Sequence, residues 1–378
     1  MKKLLIIICV FLCFTFTVKA SELNISGKSA ILMDENTGTI MFSLNENERM
    51  PMASMTKIMS MILIMEALDN EVIKLDDEVV ISENAASMGG SQIYLKAMDK
   101  YTVRDLLKSV AMASANDSVV ALAERTFGSV EAFVNKMNEK SEELGLLNTH
   151  FVNPHGLDAA DHYSSAYDMA IMAKELLKHE EILNYTKVYE EYLKKSDGSN
   201  LWLVNTNKLV RFYDGLDGLK TGYTKGAGYC ITATAKKNNM RLIAVVMGSD
   251  TIENRSQDVV KMLNYGFNSY RNNVIKSKGE SLGQVKVLRG KEKYVDVYLT
   301  KDATELLNAS QKKSEYHFKL NIDKIVAPVK KGTIIGNVTI FDNDNNVINK
   351  VDITVNKDVK KANIWDLFKR RLSTLTSY

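Results

Sequence analysis

The sequence predicts an α/β domain, one antiparallel sheet flanked by helices, followed by a small all-β domain and a C-terminal amphipathic helix. Three observations carry this. Strand-like runs stand near both ends of residues 27–270, with helical spacing between them. After about residue 274 the pattern changes to short alternating strands split by turn residues. The last stretch places apolar residues at helical spacing among lysines and arginines.

The elements follow in order. Met1, Lys2 and Lys3 precede an apolar run over 4–18, and Val18-Lys19-Ala20 offers small residues where a signal peptidase reads; residues 1–20 are therefore expected to be a cleaved secretory signal. The first domain is expected over 21–273. Residues 27–42 read as a hairpin turning at Glu35-Asn-Thr-Gly. Helices are expected over 54–68, with Ile58, Ile62 and Met65 on one face, and over 102–112, 118–127, 129–144 and 165–177. The runs 228–235 and 241–247 read as strands joined by the polar turn 236–239, and 255–270 as a further amphipathic helix. The second domain, 274–356, holds strand patterns at 284–287, 294–299, 316–320, 333–341 and 351–355, with Asp342-Asn-Asp-Asn-Asn as a turn. The tail is 357–378, in which Ile364, Trp365, Leu367, Phe368, Leu372 and Leu375 alternate with Lys369, Arg370 and Arg371. It lacks the apolar length of a span, but a basic helix carrying Trp and Phe can lie in a bilayer interface.

Composition bounds the function. About 360 residues after the signal is too long for a single small core, which favours two domains. A net charge of +3 gives no reason to expect a nucleic-acid partner. Of three cysteines only Cys230 lies outside the signal, so the chain is held by its hydrophobic core and not by disulfides.

Three short motifs carry chemistry. Ser54-Met-Thr-Lys57 puts a hydroxyl and an amine one turn apart at a helix start. A serine is a weak nucleophile until a base takes its proton, and a buried lysine can be that base. Ser114-Ala-Asn116 sets a hydroxyl and an amide on a loop between two helices, where both can face one cleft. Lys220-Thr221-Gly222, just ahead of the strand pair, offers a cation and a hydroxyl to a carboxylate, and a glycine against which a substrate backbone can lie. His150, His155 and His162 cluster without a Cys or His-x-Glu pattern, so no metal is expected, and no organic cofactor either.

Each motif alone is common. Their order, with Ser-x-Asn about 60 residues after Ser-x-x-Lys and Lys-Thr-Gly about 105 further on, resembles the penicillin-recognising serine enzymes. Further stretches narrow the resemblance to the low-molecular-mass penicillin-binding proteins that act as serine-type D-alanyl-D-alanine carboxypeptidases: 53–60, Gly89-Gly-Ser91, 112–117, 149–157 and 217–229. The resemblance implies Ser54 as nucleophile, Lys57 as base, and Ser114 and Asn116 in proton relay and substrate positioning. It implies Lys220, Thr221 and Gly222 at the substrate carboxylate, Arg255 near the cleft, and an oxyanion hole from the backbone N–H groups of Ser54 and Tyr223. Some relatives carry histidine where this chain has Tyr223. The expected substrate is the peptidoglycan stem peptide ending in D-Ala-D-Ala, with β-lactams as covalent inhibitors, at the outer face of the cytoplasmic membrane through the tail. A β-lactamase is the alternative, though its Glu-x-x-Leu-Asn pattern is replaced here by Thr149-His-Phe-Val-Asn-Pro. A non-catalytic β-lactam or muropeptide sensor is another, and a transpeptidase differs only in the acyl acceptor.

Overall fold

A computed structural model describes residues 23–366 apart from 309, 312 and 314. The expected signal, and residues 367–378 of the expected tail, lie outside the described residues. β1 (Ser29–Asp34) and β2 (Ile40–Leu44) form the first hairpin. A 3₁₀ turn over Ala53–Thr56 runs into α1 (Lys57–Asp69). Then come β3 (Glu78–Val80), α2 (Glu83–Ala86), β4 (Lys100–Thr102), α3 (Val103–Ala113), α4 (Asn116–Phe127), α5 (Val130–Glu143), α6 (Ala166–Leu176) and α7 (Leu183–Thr186). β5 (Glu190–Lys194), β6 (Asn200–Val204) and α8 (Leu209–Phe212) precede three long strands, β7 (Leu216–Thr224), β8 (Gly228–Lys237) and β9 (Met240–Ser249), and α9 (Ile252–Ser269).

Helix starts follow the caps in the sequence. Thr102 Oγ1 accepts from Asp105 N (3.1 Å), Ser129 Oγ from Ala132 N (3.0 Å) and Ser165 Oγ from Asp168 N (3.2 Å). The main sheet is antiparallel throughout, in the order β2-β1-β9-β8-β7. Alternation sorts β9 between its two faces: Ile243, Val245 and Met247 join the core under α1, while Leu242, Ala244 and Val246 pack on Val259, Met262 and Leu263 of α9. α1 differs from the one-faced helix expected. Every residue from Lys57 to Met65 is buried, so it is the central helix of the domain, apolar all round.

The second unit holds β10 (Tyr270–Lys276), β11 (Ser281–Lys286), β12 (Tyr294–Leu299), β13 (Ala303–Asn308), β14 (His317–Ile322), β15 (Ile334–Phe341) and β16 (Val347–Val355). β10 pairs with β13, and the rest form a sheet in the order β11-β12-β16-β15-β14 around a core of its own, including Val295, Val297, Val338, Ile340, Val351 and Ile353. Residues 357–362, read in the sequence as the start of the tail, are bonded into this unit: Val359 N donates to Val329 O (2.8 Å) and Ala362 N to Arg289 O (2.8 Å). Asn363 then caps a helical turn, donating its N–H to Asp366 Oδ2 (3.0 Å) and accepting from Asp366 N at Oδ1 (2.8 Å). No helix among the described residues is long and apolar enough to cross a membrane.

Candidate active site

The 3₁₀ turn holds Ser54 at the N-terminal end of the central helix, half-buried, with Ala53 before it in a left-handed conformation (φ 48°). A non-glycine residue there stores strain and persists only where its surroundings enforce it. The enforcing contacts are visible. Gly156, at φ +89°, lies so close that a Cβ on it would stand 1.9 Å from Ala53 O, so only glycine fits. A Cβ on Gly222 would stand 2.8 Å from Met52 O and 3.1 Å from Ser54 N. Edge strand β7 therefore abuts the Ser54 turn, and the Tyr223 backbone follows directly. The sequence reading set Lys220-Thr221-Gly222 just ahead of a strand pair. It lies inside a third strand instead, at the open edge of the sheet.

Lys57, the first residue of α1, is fully buried. Its Nζ lies 3.0 Å from Ser54 Oγ, 2.7 Å from Asn116 Oδ1 and 2.7 Å from His155 O. Burial first, then the charge of Lys220, hold its pKa well below the usual lysine value, with Asp117 opposing. Asn116 opens α4; its Nδ2 donates to Gly89 O (2.7 Å) and its backbone N–H to Ser91 O (2.7 Å), which binds the 89–91 loop to the site. Ser114 ends α3 at φ 64°, and its buried hydroxyl has no hydrogen-bond partner. That orphan hydroxyl is available to a ligand.

The opposite wall is cationic. Lys220 is buried, with Nζ donating to Thr221 O (3.0 Å), and burial followed by the charge of Arg255 lowers its pKa to about 7. Thr221 Oγ1 donates to Thr206 Oγ1 (2.7 Å). Arg255, in the first turn of α9, is buried, and its Nε lacks a partner. A buried guanidinium and ammonium so sparsely bonded suit an anionic ligand. Tyr223 is exposed, and its ring stacks on Tyr229, its cross-strand partner, with centroids 4.4 Å apart.

The histidines support the Ser54 turn and the loop beside it. Val152 N donates to His162 Nδ1 (3.0 Å), so Nε2 carries the proton and donates to Thr56 Oγ1 (2.8 Å), which donates to Ala53 O (2.8 Å). Leu157 N donates to His155 Nδ1 (3.2 Å). Burial lowers both pKa values to about 4, Lys57 adding to the effect at His155 and His150 at His162. Among the described residues no cluster of three His, Cys, Asp or Glu could hold a metal.

Sequence reasoning missed Asp117, although it sits in the motif stretch 112–117. Its buried carboxylate accepts the N–H groups of Ile93 (3.0 Å), Leu95 (3.1 Å) and Ser118 (2.8 Å), fixing the loop that Asn116 grips. Thr206 was missed as well, and nothing in the sequence near it gives a signal. Asp158, also missed, accepts from Thr224 Oγ1 (2.7 Å), which ties the His155 loop to the end of β7.

Residues 16–251 match the Peptidase S11 family, described as D-alanyl-D-alanine carboxypeptidase, and residues 270–361 match the penicillin-binding protein 5 C-terminal domain. The chain is 46% identical to the D-alanyl-D-alanine carboxypeptidase DacF of Bacillus subtilis (strain 168), over 95% of this chain and 92% of that one. Among solved structures it is similar to penicillin binding protein 5 of Haemophilus influenzae, with a TM-score of 0.69 and 32% identity over 89% of this chain and 98% of that one. It is also similar to penicillin-binding protein D2 of Listeria monocytogenes in an ampicillin-bound form, with a TM-score of 0.59 and 31% identity over 65% of this chain and 99% of that one.

Proposed function

The chain belongs to the D-alanyl-D-alanine carboxypeptidase family, and from that premise we propose that Ser54 is the nucleophile through which it works. The enzyme is a hydrolase that removes the terminal D-alanine of peptidoglycan stem peptides through an acyl-serine. The observation that carries the assignment is the set of partners around Lys57. A neutral amine has two N–H groups and one lone pair. Asn116 Oδ1 and His155 O are pure acceptors that take both N–H groups, so the lone pair is left for the Ser54 hydroxyl at 3.0 Å. Burial and Lys220 favour that neutral form.

Ser54 Oγ then attacks the carbonyl of the D-Ala-D-Ala bond as Lys57 takes its proton. The N–H groups of Ser54 and Tyr223 stabilise the oxyanion. The proton passes through Ser114 to the leaving amine, and Asn116 positions both Lys57 and the substrate amide. Lys220, Thr221 and Arg255 hold the terminal carboxylate against Gly222. Water completes the cycle by hydrolysing the acyl-serine. β-lactams acylate the same serine. The amino-terminal run is a signal for export, the folded parts divide near residue 273, and the tail attaches the enzyme peripherally to the outer face of the membrane.

A fluorescent penicillin tests the site. Wild type labels stoichiometrically and slowly releases the label, while a folded Ser54→Ala does not label. Label retained by Ser54→Ala moves the nucleophile elsewhere, and rapid multiple turnover of penicillin favours the lactamase.

A further inference from the structure

The five-stranded sheet of the second unit has two edges, β11 and β14, that pair only inward, with β12 and with β15. Beyond their ends the chain draws the edges together. Leu288 N donates to Ile325 O and Ala327 N to Leu288 O, both at 2.9 Å. The sheet is thus laced at one end and leaves a seam. In the seam lies a cavity of about 360 Å³, lined by Val285, Leu288, Ile322 and Ile325, with the exposed Lys286, Asp323 and Lys324 beside them. Nothing in the mechanism uses it.

The geometry points to a phospholipid site: the seam takes part of one acyl chain, and Lys286 and Lys324 hold its anionic head group. This rests on the reading that the enzyme works at a membrane surface, but it assigns that surface a second and specific contact beyond the tail. Three observations support it. The floor of the cavity is continuous with the apolar core, which also contains Val287 and Ile325. The charge fits, since among the described residues no carboxylate forms an ion pair with Lys286, Lys324, Lys330, Lys360 or Lys361.

The place fits too. Residues 357–362 are bonded to 289–291 and to Val329, so the chain leaves the fold at this same end, with Val326 (46% exposed), Ile364 (84%) and Trp365 (70%) in solvent there. Asp323 disfavours a bare polyanion, so the acyl chain and the head group are needed together.

The test uses the mature full-length protein. Monomeric dihexanoyl phosphatidylglycerol, below its micelle concentration, should bind and shift the resonances of Val285 and Ile325, while glycerol 3-phosphate should not. A phosphatidylglycerol with a photoreactive acyl chain, in vesicles, should crosslink to the peptides 285–288 and 322–325 as well as to the tail. Lys286→Gln with Lys324→Gln should weaken vesicle binding about twenty-five-fold, at roughly five-fold per basic residue facing an anionic surface. Both lysines are exposed, so the pair should fold normally. Crosslinks confined to residues beyond 363, together with an unchanged partition of the double variant, overturn the site. Binding of glycerol 3-phosphate as tight as that of the lipid overturns the acyl-chain part. If wild type ignores vesicles yet binds the monomeric lipid, the membrane reading fails while the seam stands; if it binds neither, the seam fails.

Discussion

In the proposed mechanism Lys220 and Lys57 differ in protonation at the moment of acylation. Lys57 must be neutral to accept a proton, and Lys220 must be cationic to hold a carboxylate. Burial lowers both pKa values, that of Lys220 to about 7. Raising the pH through that value discharges the free enzyme's carboxylate site, and kcat/KM reports the free enzyme. The kcat/KM for a peptide ending in D-Ala-D-Ala should therefore fall above about pH 7, with most of the change in KM. Lys220→Arg stays charged and should move that descending limb upward, even with a lower plateau. An unmoved limb assigns it to another group. His155 and His162 give the acid counterpart. Their Nδ1 atoms accept backbone N–H groups, which a protonated ring cannot do. Their folded pKa values, about 4, lie below the ordinary histidine value of about 6.5. The stability they contribute is complete above about pH 6.5 and is lost as pH falls towards 4, by about 3 kcal/mol at most for each. Urea midpoints measured over that range should fall steeply in wild type and less so in His162→Gln.

Elements differ in how openly the sequence announces them. The capped helices α3, α5 and α6 were legible because Thr102, Ser129 and Ser165 stand one residue before each helix. The motifs Ser54-Met-Thr-Lys57, Ser114-Ala-Asn116 and Lys220-Thr221-Gly222 were legible as motifs because each is local. The ribbons β3–β4 and β5–β6 were not read. The first has strands of three residues, and the second carries a turn signal, Asp197-Gly198, between runs too mixed to show alternation. The depth of α1 was not legible either, since apolar residues on all sides look like one face until the neighbours are known. The 153–157 loop entered the sequence reading only as part of the stretch 149–157 that carries the resemblance. It works by contact: His155 O holds Lys57, Pro154 O accepts from Ser60 Oγ (2.6 Å), and Gly156 lies under Ala53. Gly156→Ala meets both a forbidden φ and a backbone clash. It should destabilise the domain by about 2–4 kcal/mol and, where still folded, slow penicillin acylation more than it weakens reversible binding. A Gly156→Ala enzyme with wild-type acylation would leave the loop without a part in aligning Lys57.

At the scale of the whole molecule, the central fact is that the described residues build separate cores. Two lie on either face of the main sheet and share its strands, so they should melt together. The third belongs to the second unit alone. What joins that unit to the rest, besides the chain running from α9 into β10, is a small seam in which Tyr270 and Leu306 pack against the apolar core on the α9 face of the main sheet, with a few polar bonds beside them. Lys301 Nζ pairs with Glu35 Oε1 (3.2 Å), Asn36 Nδ2 donates to Asp302 O (2.8 Å), and Asn272 Nδ2 donates to Asp34 Oδ2 (3.2 Å). Partly exposed bonds of this kind contribute about 1 kcal/mol each or less. That is small beside the stability of a domain, about 5–15 kcal/mol. The two units should therefore unfold as separate transitions rather than as one. Calorimetry of the mature protein should resolve two peaks. Acylation by benzylpenicillin fills a site built only from elements up to α9, so it should raise the midpoint of one peak and leave the other within about 1 °C, because linkage stabilises only the unit that binds. Lys301→Ala with Asn36→Ala should separate the peaks further without changing D-alanine release. A single peak that shifts as a whole on acylation would show that the seam, with Tyr270 and Leu306 packed on the first unit's core, couples the units into one cooperative fold, and the second unit would then have to be counted as part of the catalytic fold.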